Sequence, residues 1–182
     1  MLPRKKRNPL TGLCLGGACV GLLMVMTWVA AGGCTTTVAP PGSSGSPSPT
    51  GEQLVTLIME TDPYQQWAQF PDRQGTLPSV LPHGPMSRVF ISGEVESALT
   101  DFAGQLPDGS IIVKENVGTS SQVTEAALTV MWKVAGFDPP NHDWFWANVT
   151  PDGGIVAEGR VQSCTVCHGG VRDNDFVFVH RF

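Results

Sequence analysis

Apolar positions along this chain fall into two regimes. From Leu10 to Ala31 they run almost without interruption, and from Glu52 onward they come in short groups separated by polar residues. In the second regime the spacing of the apolar residues predicts the element type. Glu52 to Glu60 carries Leu54, Val55, Leu57 and Ile58, and Glu94 to Leu106 carries Val95, Ala98, Leu99, Phe102, Ala103 and Leu106 on one face. Both stretches predict amphipathic helices. Ile111 to Glu115, Leu128 to Val134, Trp144 to Val149 and Asp175 to Phe182 are rich in β-branched and aromatic residues and predict strands. Pro107-Asp108-Gly109 and Pro151-Asp152-Gly153-Gly154 are turn signals between them. Strand alternation puts Thr129, Met131 and Lys133 on one face and Leu128, Val130 and Trp132 on the other. Trp144 shares a face with Trp146, and Phe176, Phe178, His180 and Phe182 share another. The expected fold is α+β and β-rich. It is an antiparallel sheet with a few helices, one of them beginning near Cys164 and followed by a last strand.

The first regime reads differently. Arg4, Lys5, Lys6 and Arg7 precede the apolar run, and Ala31-Gly32-Gly33-Cys34 closes it. Basic, apolar and then small residues are the layout of an export signal. A cysteine after small residues suggests a lipoprotein signal over residues 1–33, with Cys34 as the lipidated residue. Ala31 departs from that pattern, which prefers leucine there. An uncleaved membrane anchor is the competing reading, because a spanning helix needs about 20 apolar residues. Both readings put the remainder outside the cytoplasm, on the periplasmic side, membrane-anchored or secreted. Residues 34–51 are mainly Thr, Ser, Pro and Gly, a composition that buries too little apolar surface to offset ordering entropy. They read as a flexible tether before a domain at 52–182.

Net charge adds an exclusion. The chain carries −5 overall, and loss of residues 1–33 removes four basic residues and no acidic one, leaving about −9. An acidic domain is a poor match for nucleic acid, whose phosphates require a basic face.

The five cysteines are quickly accounted for. Cys14 and Cys19 fall in the apolar run and Cys34 at its end, leaving Cys164 and Cys167. These are spaced C-x-x-C and followed at once by His168, the signature of covalent haem attachment. Two thiols add to the two vinyl groups on one porphyrin edge, and the next residue turns its imidazole toward iron. A redox disulfide or a zinc site could use the same pair. The former expects a βαβ context, and the latter needs further ligands. The motif's late position also matters. Small electron-transfer cytochromes carry it early and take a methionine from downstream, but no methionine follows His168 here. Four-helix cytochromes carry it late but need long uninterrupted helices. A chain with 21 glycines and 15 prolines does not supply them.

From about Glu52 to Phe182 the domain resembles the cytochrome P-460 family, which includes the β-sheet cytochromes c-prime. The resemblance rests first on Tyr64, Trp67, Pro82-His83-Gly84 and the strand Arg88 to Ser92. It continues through Pro107-Asp108-Gly109-Ser110, Val113-Lys114-Glu115, Val130-Met131-Trp132-Lys133 and Asp143-Trp144. The haem motif and Asn174-Asp175-Phe176-Val177-Phe178 complete it.

The resemblance implies haem c, with iron held by His168, and a lysine at Lys114 able to bond to a haem carbon. Hydroxylamine-oxidising members place a proton-accepting carboxylate above the open face of iron, and this sequence aligns Thr129 there. Threonine cannot accept a proton at neutral pH. Glu125 lies one turn of chain earlier. Met131, His83, His142 and His180 are the sixth-ligand candidates. Three functions follow. One is an oxidoreductase acting on hydroxylamine or nitric oxide at five-coordinate haem. The others are a non-catalytic gas-binding cytochrome and a six-coordinate electron carrier. The implied partners are a small gaseous or nitrogenous ligand, a redox protein and the membrane, through a lipid or anchor. A homodimer is among the assemblies open to it.

Overall fold

A computed structural model describes residues 48–80, 83–118 and 127–182. The export signal, Cys34 and most of the tether lie outside the described residues, as do Pro82 and Glu125. Among the described residues no helix is long and apolar enough to cross a membrane.

Six strands follow one another as an antiparallel meander in sequence order. They are β1 (Leu77–Pro78), β2 (Met86–Ile91), β3 (Ile111–Val117), β4 (Leu128–Lys133), β5 (Trp144–Val149) and β6 (Ile155–Gly159). The expected β-rich α+β architecture is what forms. Both faces of the central strands are covered, which is why Ile111-Ile112-Val113 reads as a continuous apolar run rather than an alternating one.

One face carries Val113, Val130, Phe145 and Val149 beneath Leu54 and Ile58 of the first helical segment. Fully burying a side chain such as Phe145 stabilises by about 1.5–3 kcal/mol. That segment is α1 (Gly51–Thr56), continued by a π-helical turn over Leu57–Thr61. Its start is set by a capping box. The Thr50 hydroxyl accepts from the Gln53 amide, and the Gln53 side chain accepts from the Thr50 amide.

The opposite face carries Val89, Ile91, Ile112, Met131, Trp144 and Trp146. It is covered by α2 (Gly93–Ala98) and by the chain end, which contains α3 (Gln162–His168) and a 3-10 segment over Gly169–Asn174.

Two expectations need correction. The helix anticipated over Glu94 to Leu106 stops at Ala98, although Leu106 is buried as expected. The Leu106 amide, which a helix would have directed to a carbonyl four residues back, donates instead to Asp175 Oδ2 at 2.7 Å. The last strand, Asp175 to Phe182, does not form. Asp175 and Phe176 adopt positive φ, +50° and +65°, which breaks any extended ladder there. Asn174 takes over the hydrogen bonding. Its side-chain NH2 donates to the carbonyls of Val177 and His180, and its side-chain oxygen accepts from the Phe182 amide. The four residues expected on one face therefore separate: Phe176 is buried and Phe178 is 53% exposed.

Asp175 is the polar centre of this face. Its carboxylate, fully buried, accepts from Lys133 Nζ at 2.7 and 2.9 Å, His142 Nδ1 at 2.9 Å and the Leu106 amide. Its carbonyl accepts from the Trp144 indole at 3.0 Å, and Lys133 Nζ lies 4.6 Å from the Trp144 ring centre. Removing one member of a buried pair strands the other charge and costs about 3–5 kcal/mol. Lys133→Met should lower the urea midpoint by that amount of stability with an unchanged slope, read from equilibrium unfolding.

Candidate functional site

α3 places Cys164, Cys167 and His168 on one helical stretch, Cys164 partly buried and Cys167 exposed. Neither thiol is paired. Among the described residues no group of three or more His, Cys, Asp or Glu side chains converges to hold a metal ion.

What α3 supplies, the chain end orients. The turn through Asp175 and Phe176 brings the Phe176 carbonyl back to His168, whose Nδ1–H donates to it at 2.7 Å. This bond selects the tautomer with its lone pair on Nε2, the form an axial imidazole requires. Burial pushes the His168 pKa below its ordinary value. The Phe176 bond opposes the shift and the Lys114 charge adds to it, so the ring is neutral at pH 7.

The sheet presents a rung with three polar members to this helix. Val89, Lys114, Thr129 and Asn148 are register partners across β2 to β5 and share one face. Lys114 and Thr129, the two positions the resemblance singles out, are thus directly opposed. Thr129 Oγ1 lies 3.3 Å from His83 Nδ1. Burial, and secondarily the Arg73 guanidinium, push the Lys114 pKa down to about 8. Burial followed by the charges of Lys114 and His168 pushes His83 down to about 4. Three rings border His168: Trp146 at 4.8 Å, Phe178 at 5.2 Å and His83 at 6.1 Å between centres.

These residues fit a haem. Trp146 Nε1 and Arg73 Nε are buried without hydrogen-bond partners, and both are donors suited to a carboxylate such as a porphyrin propionate. Phe178 is a largely exposed apolar ring beside the His168 imidazole, a surface a porphyrin would cover.

The remaining sequence candidates are distributed elsewhere. His142 is engaged by Asp175. His180 pairs with Asp72 at 2.7 Å and stacks on Phe70. Met131 packs in the core in the rung of Ile112 and Trp146. Reasoning from sequence missed Asp175 and Arg73. Asp175 sits inside a stretch that carried the resemblance, but nothing local marks a carboxylate whose partners lie 33 to 69 residues away.

Comparison with protein families gives a match to the family described as Cytochrome P460 over residues 61–179. No curated protein matches the chain. Expressed with a c-type maturation system, the chain should carry one haem that survives denaturing electrophoresis. The Cys164→Ala/Cys167→Ala variant should lose it, with intact mass as the check.

Proposed function

We propose that this chain, which belongs to the cytochrome P460 family, binds small nitrogen compounds at its haem iron, nitric oxide foremost, on the side opposite His168. Haem c supplies a redox-active iron able to hold diatomic and amine-like ligands. Cys164 and Cys167 would carry the porphyrin, and His168 would be the one protein ligand of the reactive, five-coordinate form. Arg73 and Trp146 would receive its carboxylates.

The observation carrying the choice of binding over oxidation is the Lys114–Thr129 rung. The position aligned with the proton acceptor holds a hydroxyl group bonded to His83, not a carboxylate. Oxidising hydroxylamine releases protons that the site must accept, and threonine cannot take them at neutral pH. The same rung puts the Lys114 amine on the haem side of the sheet, where burial favours the neutral nucleophilic form a cross-link needs. On this reading the domain works on the periplasmic side, tethered through Cys34, and exchanges electrons with a redox protein.

Nitric oxide added to the reduced haem protein should shift the main absorption band at one equivalent, while hydroxylamine with an artificial electron acceptor should give little turnover. Rapid hydroxylamine turnover would reverse the choice. Proteolysis of the denatured haem protein should release a haem peptide containing both Cys164–His168 and the Lys114 segment. Recovery of the two as separate peptides would remove the cross-link.

A further inference from the structure

We propose that His83 is the second axial ligand of the haem iron in the resting protein, so that a small molecule binds only by displacing it. The inference rests on the haem assignment above and adds a ligand to it.

The two imidazoles are already arranged for one metal. Their ring centres lie 6.1 Å apart with planes at 86°. A coordinated imidazole nitrogen sits about 2 Å from its metal, so two imidazoles on opposite sides of one ion place their ring centres about 6 Å apart. Packed aromatic pairs span 4.5–7 Å, so the distance alone does not decide the matter. The hydrogen bonds do more. His168 Nδ1 is committed to the Phe176 carbonyl and His83 Nδ1 to Thr129 Oγ1. Each ring therefore keeps Nε2 free of any partner among the described residues, as a ligand held by a bond on its other nitrogen does.

The position of His83 is also fixed at its base. Its amide donates to the Val80 carbonyl at 3.1 Å, and the Ser79 amide donates to the Pro85 carbonyl at 2.8 Å. Buried Gly84 follows with φ +75°, a conformation that favours glycine. The competitors are occupied: His142 by Asp175, His180 by Asp72 and Phe70, and Met131 by the core. Of the candidate sixth ligands, His83 is the one whose ring borders His168.

Thr129 then has a role that its alignment does not suggest. It holds His83 Nδ1 and so is a positioning residue for the ligand. A site closed in this way also discriminates by affinity. If His83 holds the iron about 90% of the time, an incoming ligand loses about tenfold in apparent affinity.

The test uses the full-length protein with haem attached. The oxidised and reduced wild type should give low-spin, six-coordinate optical and electron-paramagnetic-resonance spectra. His83→Ala should turn the oxidised form high-spin, added imidazole should restore the low-spin spectrum, and carbon monoxide should bind the reduced variant about tenfold more tightly. Thr129→Val should give a mixed spectrum. A high-spin wild type, or a low-spin spectrum that persists in His83→Ala, overturns the proposal while leaving the haem assignment intact. A chain whose intact mass shows no haem overturns both. If His83→Ala does not mature, His83→Met decides by the same spectra. A changed axial-ligand signature supports the proposal, and an unchanged one overturns it.

Discussion

The buried Asp175 carboxylate is the constraint on which the site depends. A lone charge in that position would be prohibitively costly, and it is tolerable because four donor contacts surround it. Those donors come from β4, from the segment after α2 and from the turn before β5, so one side chain ties three remote parts of the chain together. The backbone is held in an unfavourable shape there. His142, Asp143, Asp175 and Phe176 all have positive φ, at about 1–2 kcal/mol per residue. Such strain persists only where the surroundings over-determine it. Its product is the Phe176 carbonyl, turned back onto the imidazole of His168.

Much of this was legible from the residues. Strands β3 to β5 follow from β-branched and aromatic runs, with Pro-Asp-Gly turns before β3 and after β5, and β2 follows from the resemblance; the alternation in β4 correctly sorts Thr129, Met131 and Lys133 from Leu128, Val130 and Trp132. The haem motif is local and needs no tertiary knowledge. What failed was non-local. The apolar spacing of Glu94 to Leu106 picks out the buried Val95, Ala98 and Leu106, but the helix ends at Ala98, and the Leu106 amide is bonded to a distant carboxylate instead of to a helical carbonyl. Phe176 to Phe182 alternates like a strand, yet the Asn174 side chain satisfies the groups a neighbouring strand would have paired. The two edge strands β1 and β6 were missed because one is two residues long and the other exposes Ile155 and Val156.

Charge gives the site its character. The domain is acidic overall, yet the side of the sheet facing α3 gathers Lys114 and Arg73 with the indole donor of Trp146. A local cationic field inside an anionic protein favours a ligand that brings its own carboxylates and an apolar body. It also keeps the nearby imidazoles uncharged, since both Lys114 and burial oppose their protonation. On the proposed reading the same few groups would receive the cofactor and leave nitrogen lone pairs available to its metal.

The meander has a consequence for how the protein is made. Each strand pairs with its neighbour in sequence, so the sheet can assemble from short loops as the chain proceeds. Cys164, Cys167 and His168 come after all six strands, and the residues that orient His168 come later still. The segment carrying the two thiols thus follows in the chain every strand it packs against. On the proposed reading a maturation apparatus would meet the two thiols while that segment is still extended, and docking of the chain end would then close the cofactor against the sheet.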